Sequence, residues 1–205
     1  MQHQRAALIF DLDRGHTRPA GDPAAPLKLH LGCGKRHIPG FVHIDAAPAP
    51  HVDWVARVER LSMIDSASVE LIYACHVLEH FGRAEVPRVL GEWYRVLKPG
   101  AILRVSVPDF AACAKLYYEK GLEDGLNGLI GLVCGGQRNS YDFHKMIFDE
   151  ALLTRAFRDA GFREVRPWDW RTTEHAEVDD YSQAYLPHLD KENGQPMSLN
   201  LEAVK

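Results

Sequence analysis

Apolar residues in this chain fall into short runs separated by turn-forming clusters, and the spacing within each run predicts an element. Leu27-Lys28-Leu29-His30-Leu31 is too short for a helix and ends in Gly32-Cys33-Gly34, so it predicts a strand closed by a glycine turn. Phe41-Val42-His43-Ile44-Asp45 predicts a second strand, Val52-Asp53-Trp54-Val55 a third, and the β-branched and aromatic run Val69 to Cys75 a fourth. From Phe81 to Leu97 the period changes. Val86, Val89, Leu90, Trp93, Tyr94 and Leu97 recur at the three-and-four spacing of an amphipathic helix whose apolar stripe is core, and Lys98-Pro99-Gly100 stops it. Ala101 to Val107 predicts a fifth strand ending at Pro108-Asp109. Phe110 to Gly131 reads as helix broken around Gly121 and Gly125, Cys134 to Ser140 as loop, and Asp149 to Ala160 as a helix closed by Gly161. Phe162 to Arg166 predicts a sixth strand, and the alternating Ser198 to Val204 a seventh with one wet face. Strands alternating with helices predict an α/β fold: a doubly wound, mostly parallel sheet that binds ligands outside the carboxyl ends of its strands.

At 205 residues the chain predicts one domain, 27–205, behind a leader, 1–26. The leader has an apolar piece, Ala6 to Phe10, then a Pro/Gly/Asp-rich stretch from Arg18 to Pro26 that reads as a linker or lid. With 46% hydrophobic and 25% charged residues the composition is that of a globular protein, and no apolar run is long enough to span a bilayer. Cys33, Cys75, Cys113 and Cys134 form no CxxC pair and read as free thiols of a reducing cytoplasm. A net charge of −4 with no Lys/Arg run argues against a nucleic-acid partner. A homodimer stays open.

The glycine turn and Asp45 carry the chemistry. Glycines let the backbone approach a ligand, and a carboxylate at the end of the neighbouring strand accepts hydrogen bonds from both hydroxyls of a ribose. A dinucleotide site adds a third glycine and a long helix whose N-terminus meets a pyrophosphate. Here His37 stands at the third-glycine position, and Pro39-Gly40 leaves room for barely one helical turn. A phosphate-free adenosine ligand, S-adenosylmethionine, suits the pattern better.

Four segments, LHLGCGKRHIPGFVHID, IYACHVLEHF, EWYRVLKPGAILRVSVPD and FHKMIFDEALLTRAFRDAGFREV, together resemble the class I S-adenosylmethionine-dependent methyltransferases, in particular a small bacterial branch with a short first helix. The resemblance spans about residues 27–167, and the closing SLNLEAVK also fits. It implies a seven-stranded sheet with a reversed last strand, hairpin-paired with the one before. It further implies that Gly32, Cys33 and Gly34 pass under the methionine and ribose, that Asp45 holds the ribose, and that His76 lines the methyl-transfer face. The family's acid within the first strand is His30 here, and its adenine-binding acid is Arg57, so adenine recognition falls to backbone near Arg57 and Val58.

Methyl transfer to a small-molecule or glycan-type acceptor, through oxygen or nitrogen, needs alignment and, for a hydroxyl, a base. His144, just after the loop that should roof the acceptor pocket, is the first choice of base, against the alternative of a ring bonded to loop backbone. His80 reads as a helix cap. Asp109 either contacts the acceptor or caps the next helix, Tyr141 and Asp142 are candidate acceptor contacts, and Trp168 and Trp170 read as packing or pocket walls. Three rival readings are weighed. His76-Val77-Leu78-Glu79-His80 spells the H-x-x-E-H of a zinc peptidase, which needs the motif on one helix and a third ligand; no metal is expected here. Ala7 to Asp13 resembles a phosphatase opening with Asp11 as nucleophile, broken at Arg14-Gly15-His16. A cofactor-binding scaffold without turnover is the third.

Overall fold

The computed structural model describes residues 26–121 and 125–205. The leader up to residue 25, with the lid reading and the phosphatase-like Asp11, lies outside the described residues. In chain order the elements are β1 (Lys28–Leu31), β2 (Val42–Asp45), β3 (Trp54–Val55), β4 (Val69–Cys75), α1 (Val86–Val96), β5 (Leu97–Pro108), α2 (Phe110–Lys120), α3 (Asn127–Cys134), α4 (Glu150–Asp159), β6 (Arg163–Pro167), β7 (Tyr185–Leu186), β8 (Gln195–Pro196) and β9 (Ser198–Val204). Seven strands form one sheet in the order β3-β2-β1-β4-β5-β9-β6. The first five are parallel, and β9 runs antiparallel to both β5 and β6. The reversed last strand is therefore present, but residues 168–197, which include a separate β7-β8 hairpin, intervene between β6 and β9.

Strand alternation sends the two faces into different environments. Leu29, Leu31, Ile44, Ile72, Ala74, Leu103 and Val105 face α1 and α4, whose Val89, Leu90, Trp93, Leu153 and Phe157 are fully buried against them. Each such large side chain contributes about 1.5–3 kcal/mol of burial. The opposite face is partly polar: His30 and His43 stand beside Leu71, Tyr73 and Ile102. It is covered by Trp168, His175 and Val178 from the segment after β6, with Tyr73 donating from its hydroxyl to Asp180 Oδ2 at 2.6 Å. Trp168 is a packing residue, its indole donating to the Val105 carbonyl at 3.1 Å.

Several boundaries differ from the sequence reading for local reasons. The helix expected from Phe81 begins at Val86, with Pro in its first turn where a missing N–H costs nothing, and a 3₁₀ turn, Leu78–His80, precedes it. Lys98-Pro99-Gly100 ends α1 but belongs to β5, where the Gly100 N–H donates to the Lys205 carbonyl. Helix α3 runs on to Cys134 and stops only at Gly135, whose φ is +78°. No helix among the described residues is long and apolar enough to cross a membrane.

Candidate functional site

The carboxyl ends of β1, β2, β4 and β5 converge on one edge. Leaving β1, the chain turns through Gly32 at φ +61° and Gly34 at φ +55°. A Cβ on Gly32 would lie 2.5 Å from Val77 Cγ2, so only glycine lets the turn pass beneath the loop after β4. A Cβ on Gly34 would meet nothing within 4 Å, which leaves open space above the turn. Asp45, at the end of β2, accepts from the Gly34 N–H through Oδ2 and from the Ala47 N–H through Oδ1, each at 2.8 Å. An ionised carboxylate has about four acceptor sites, so each oxygen keeps one beside that open space. These residues fit the ribose and methionine portions of S-adenosylmethionine.

A histidine network missed in the sequence holds this turn. His51 Nε2 donates to the Gly34 carbonyl at 3.1 Å, because a carbonyl only accepts. His43 Nε2 accepts from the Ile38 N–H at 2.9 Å, while its Nδ1 faces Asp53 Oδ2 at 3.3 Å. His37, in the place of the third glycine, stacks on His43 with ring centroids 4.8 Å apart. Paired rings and a carboxylate thus replace the first helix. Nothing in the spacing of His37, His43 and His51 signals this. Cys33 is buried, and desolvation followed by the charge of Asp45 pushes its thiol up to about 12, so it stays protonated. The Val58 side chain belongs to the core and its carbonyl accepts from the Trp93 indole at 2.9 Å. Arg57 pairs with Glu59.

On the other side of the edge, β4 delivers His76 in the left-handed conformation, φ +54°. Its ring stacks on Tyr181 with centroids 5.0 Å apart, and its Nε2 donates to Ser198 Oγ at 2.9 Å. Burial, then the neighbouring His144 and His80, lower its pKa to about 3. It is a neutral ring. The following 3₁₀ turn places Glu79 in the interior at 1% exposure, where burial raises its pKa to about 8. The Glu79 carbonyl accepts from the N–H groups of Lys145 and Met146, and this fastens His144 over the turn. His144 Nδ1 donates to the Leu132 carbonyl at 2.9 Å and its Nε2 lies 3.8 Å from Glu79 Oε1. Gly135 makes this approach feasible: a Cβ there would sit 2.9 Å from the His144 nitrogen and 2.3 Å from the Asp142 carbonyl.

The remaining candidates are distributed more loosely. His80 caps no helix; it ends the 3₁₀ turn with Nδ1 3.1 Å from the Phe143 carbonyl. The helix that a peptidase H-x-x-E-H requires is absent, since His76 leaves a strand and the turn spans only three residues. Asp109 caps α2, its Oδ1 accepting from the Ala111 and Ala112 N–H groups. Asp142 is bound by Arg138 at 2.7 Å, which holds its carboxyl below the usual range. Tyr141 is exposed. A small apolar pocket lined by Pro108, Phe110, Cys113, Leu132 and Met146 opens beside His144.

Residues 40–105 match the family model described as a methyltransferase domain. Among solved structures, an S-adenosylmethionine-dependent methyltransferase from Archaeoglobus fulgidus is 13% identical, with a TM-score of 0.55 over 89% of this chain and 87% of that one. One from Methanosarcina mazei is 18% identical, with a TM-score of 0.53 over 87% and 91%. The 1,6-didemethyltoxoflavin N1-methyltransferase of Burkholderia thailandensis, with bound 1,6-didemethyltoxoflavin and S-adenosylhomocysteine, is 16% identical, with a TM-score of 0.52 over 88% and 71%. At these identities the likeness is one of fold. No curated protein matches the sequence.

Proposed function

We propose that the chain, which has the fold of solved S-adenosylmethionine-dependent methyltransferases and a segment matching a methyltransferase-domain model, is such an enzyme and methylates an oxygen or nitrogen of a small-molecule or glycan-type acceptor. One observation carries the siting of the reaction: the open glycine turn and Asp45 lie on one side of a sheet edge whose other side holds His76, His144 and the apolar pocket.

Bound over the turn, S-adenosylmethionine supplies a methyl carbon activated by its sulfonium. The protein's task is alignment. Gly32, Cys33 and Gly34 present backbone to the methionine and ribose, Asp45 accepts the ribose hydroxyls, and the Val58 backbone borders the adenine. His76 walls the transfer face as a neutral ring, held by Ser198 and Tyr181. Good alignment supplies on the order of 7–11 kcal/mol of the barrier in well-oriented systems. With its Nδ1 hydrogen given to Leu132, His144 keeps a lone pair at Nε2, 3.8 Å from Glu79 Oε1, as a base requires; a base adds about 10²- to 10⁴-fold. Tyr141, Asp142 and the free Oδ2 of Asp109 supply polar contacts for an acceptor. The test is methyl-labelled cofactor against panels of sugars, phenols and amines, with calorimetry of cofactor binding. Label transfer that disappears in Asp45→Ala is expected. Tight cofactor binding with no transfer to any panel would leave a scaffold, and no binding would overturn the reading.

A further inference from the structure

Neither carboxylate oxygen of Glu79 has a hydrogen-bond partner among the described residues, although the side chain is almost wholly buried. A buried carboxylate without donors is a strongly unfavourable arrangement. Its neighbours offer it no hydrogens. His144 has spent its Nδ1 hydrogen on the Leu132 carbonyl, so Nε2, 3.8 Å from Glu79 Oε1, is a bare lone pair. His80 likewise directs Nδ1 to the Phe143 carbonyl, and in that neutral tautomer its Nε2 carries the lone pair. The Ser198 hydroxyl donates to the Tyr181 carbonyl at 2.6 Å, so His76 must donate from Nε2 to Ser198; its Nδ1 is bare as well, 3.5 Å from Glu79 Oε1. Once Glu79 is ionised, imidazole lone pairs and a carboxylate face one another with only a cation or a returning proton able to join them, and one ligand atom each from Glu79, His80 and His144 lie within 4.8 Å of one another.

We propose that Glu79, His80 and His144 bind a divalent first-row transition ion of the zinc class, with His76 bordering the site and a coordination position left for an exogenous oxygen. Two imidazoles and a carboxylate form a three-ligand set that leaves room for a further oxygen. Magnesium and calcium prefer all-oxygen sets. The outer contacts agree: ligating histidines characteristically give their second N–H to a carbonyl or carboxylate, as His80 and His144 do. The ligands are also fastened to each other, through the Glu79 carbonyl to the Lys145 and Met146 N–H groups.

The consequence for catalysis, though not the site itself, rests on the methyl-transfer reading. An ion here takes the lone pair of His144 and polarises an acceptor hydroxyl in its place. The hydroxyl proton passes to solvent, the new C–O bond forms as the S–C bond breaks, and the S–C electron pair stays on sulfur.

The tag-free full chain, stripped with a chelator and titrated with Co²⁺, tests the site by its visible ligand-field bands. One equivalent is expected, displaced by Zn²⁺, with affinity lowered at least tenfold in Glu79→Gln and in His144→Ala. His80→Ala is the second variant should either fail to fold, as judged by circular dichroism. Asp45→Ala should bind Co²⁺ like the parent while losing cofactor affinity. Absence of bands, or bands unchanged in the ligand variants, overturns the metal site and leaves methyl transfer standing. Metal binding in a chain that binds no S-adenosylmethionine upholds the site and removes the methyl-transfer reading instead.

Discussion

A methyl group at Gly32 would press 2.5 Å from Val77 Cγ2 while forcing a side chain into φ +61°, so Gly32→Ala should reduce cofactor affinity at least tenfold in calorimetry. Gly34→Ala meets no protein neighbour, so any loss it causes comes from backbone strain at φ +55° and from the space the turn keeps for the cofactor. On the proposed ribose role, Asp45→Ala removes two charge-assisted hydrogen bonds, worth about 1.5–3 kcal/mol each, and it also releases the Gly34 and Ala47 N–H groups. Asp45→Asn keeps an acceptor and should lose less; equal affinity in all three proteins would dismiss the ribose role. His30 titrates in the opposite sense from a paired histidine. Burial, then the neighbouring His43 and His175, lower its pKa from 6.5 to about 3. The unfolded chain therefore binds this proton first, and the contribution of His30 to stability is complete above pH 6.5 and is lost as pH falls toward about 3. The loss is on the order of a few kcal/mol, and His30→Leu should flatten the fall in urea midpoint across that window.

At the scale of elements, α1 shows why periodicity is informative. Val86, Val89, Leu90, Trp93 and Val96 are the buried face, as their spacing predicts. Trp93→Ala should cost about 3–5 kcal/mol in urea unfolding, and it also strips the Val58 carbonyl of its donor. The loop after α3 behaves differently, because its shape depends on steric fit rather than pattern. Gly135→Ala would collide with the Asp142 carbonyl and the His144 nitrogen. It should lower kcat markedly with cofactor affinity near normal; parallel loss of both would show that the loop supports the cofactor side too.

The whole molecule is organised by its two unlike sheet faces. One is closed by α1 and α4, the other by the irregular stretch after β6. Tyr73→Phe deletes the only hydroxyl that reaches Asp180 Oδ2 across this second layer among the described residues. A loss of about 1–3 kcal/mol is expected, with faster amide exchange confined to residues 168–184. Uniform acceleration over the sheet would show instead that the layer and the sheet unfold together.

What was legible in the sequence follows the range of the forces involved. Alternation and three-and-four spacing report which side of an element meets water, so the seven strands of the sheet, the stripe of α1 and the Gly32-Cys33-Gly34 turn before Asp45 could be read directly. The ends of α1 and β5 were less legible, because Pro and Gly obey neighbours in space as well as in sequence. The H-x-x-E-H letters marked Glu79 and His80 without disclosing that the segment leaves a strand through a 3₁₀ turn. Only the tertiary structure decided that His144 comes over Glu79, that His51 clasps the glycine turn, and that residues 168–184 cover the polar sheet face. Each of those is a contact between segments distant in the chain, set by loop sterics and backbone hydrogen bonds that leave no period in the sequence.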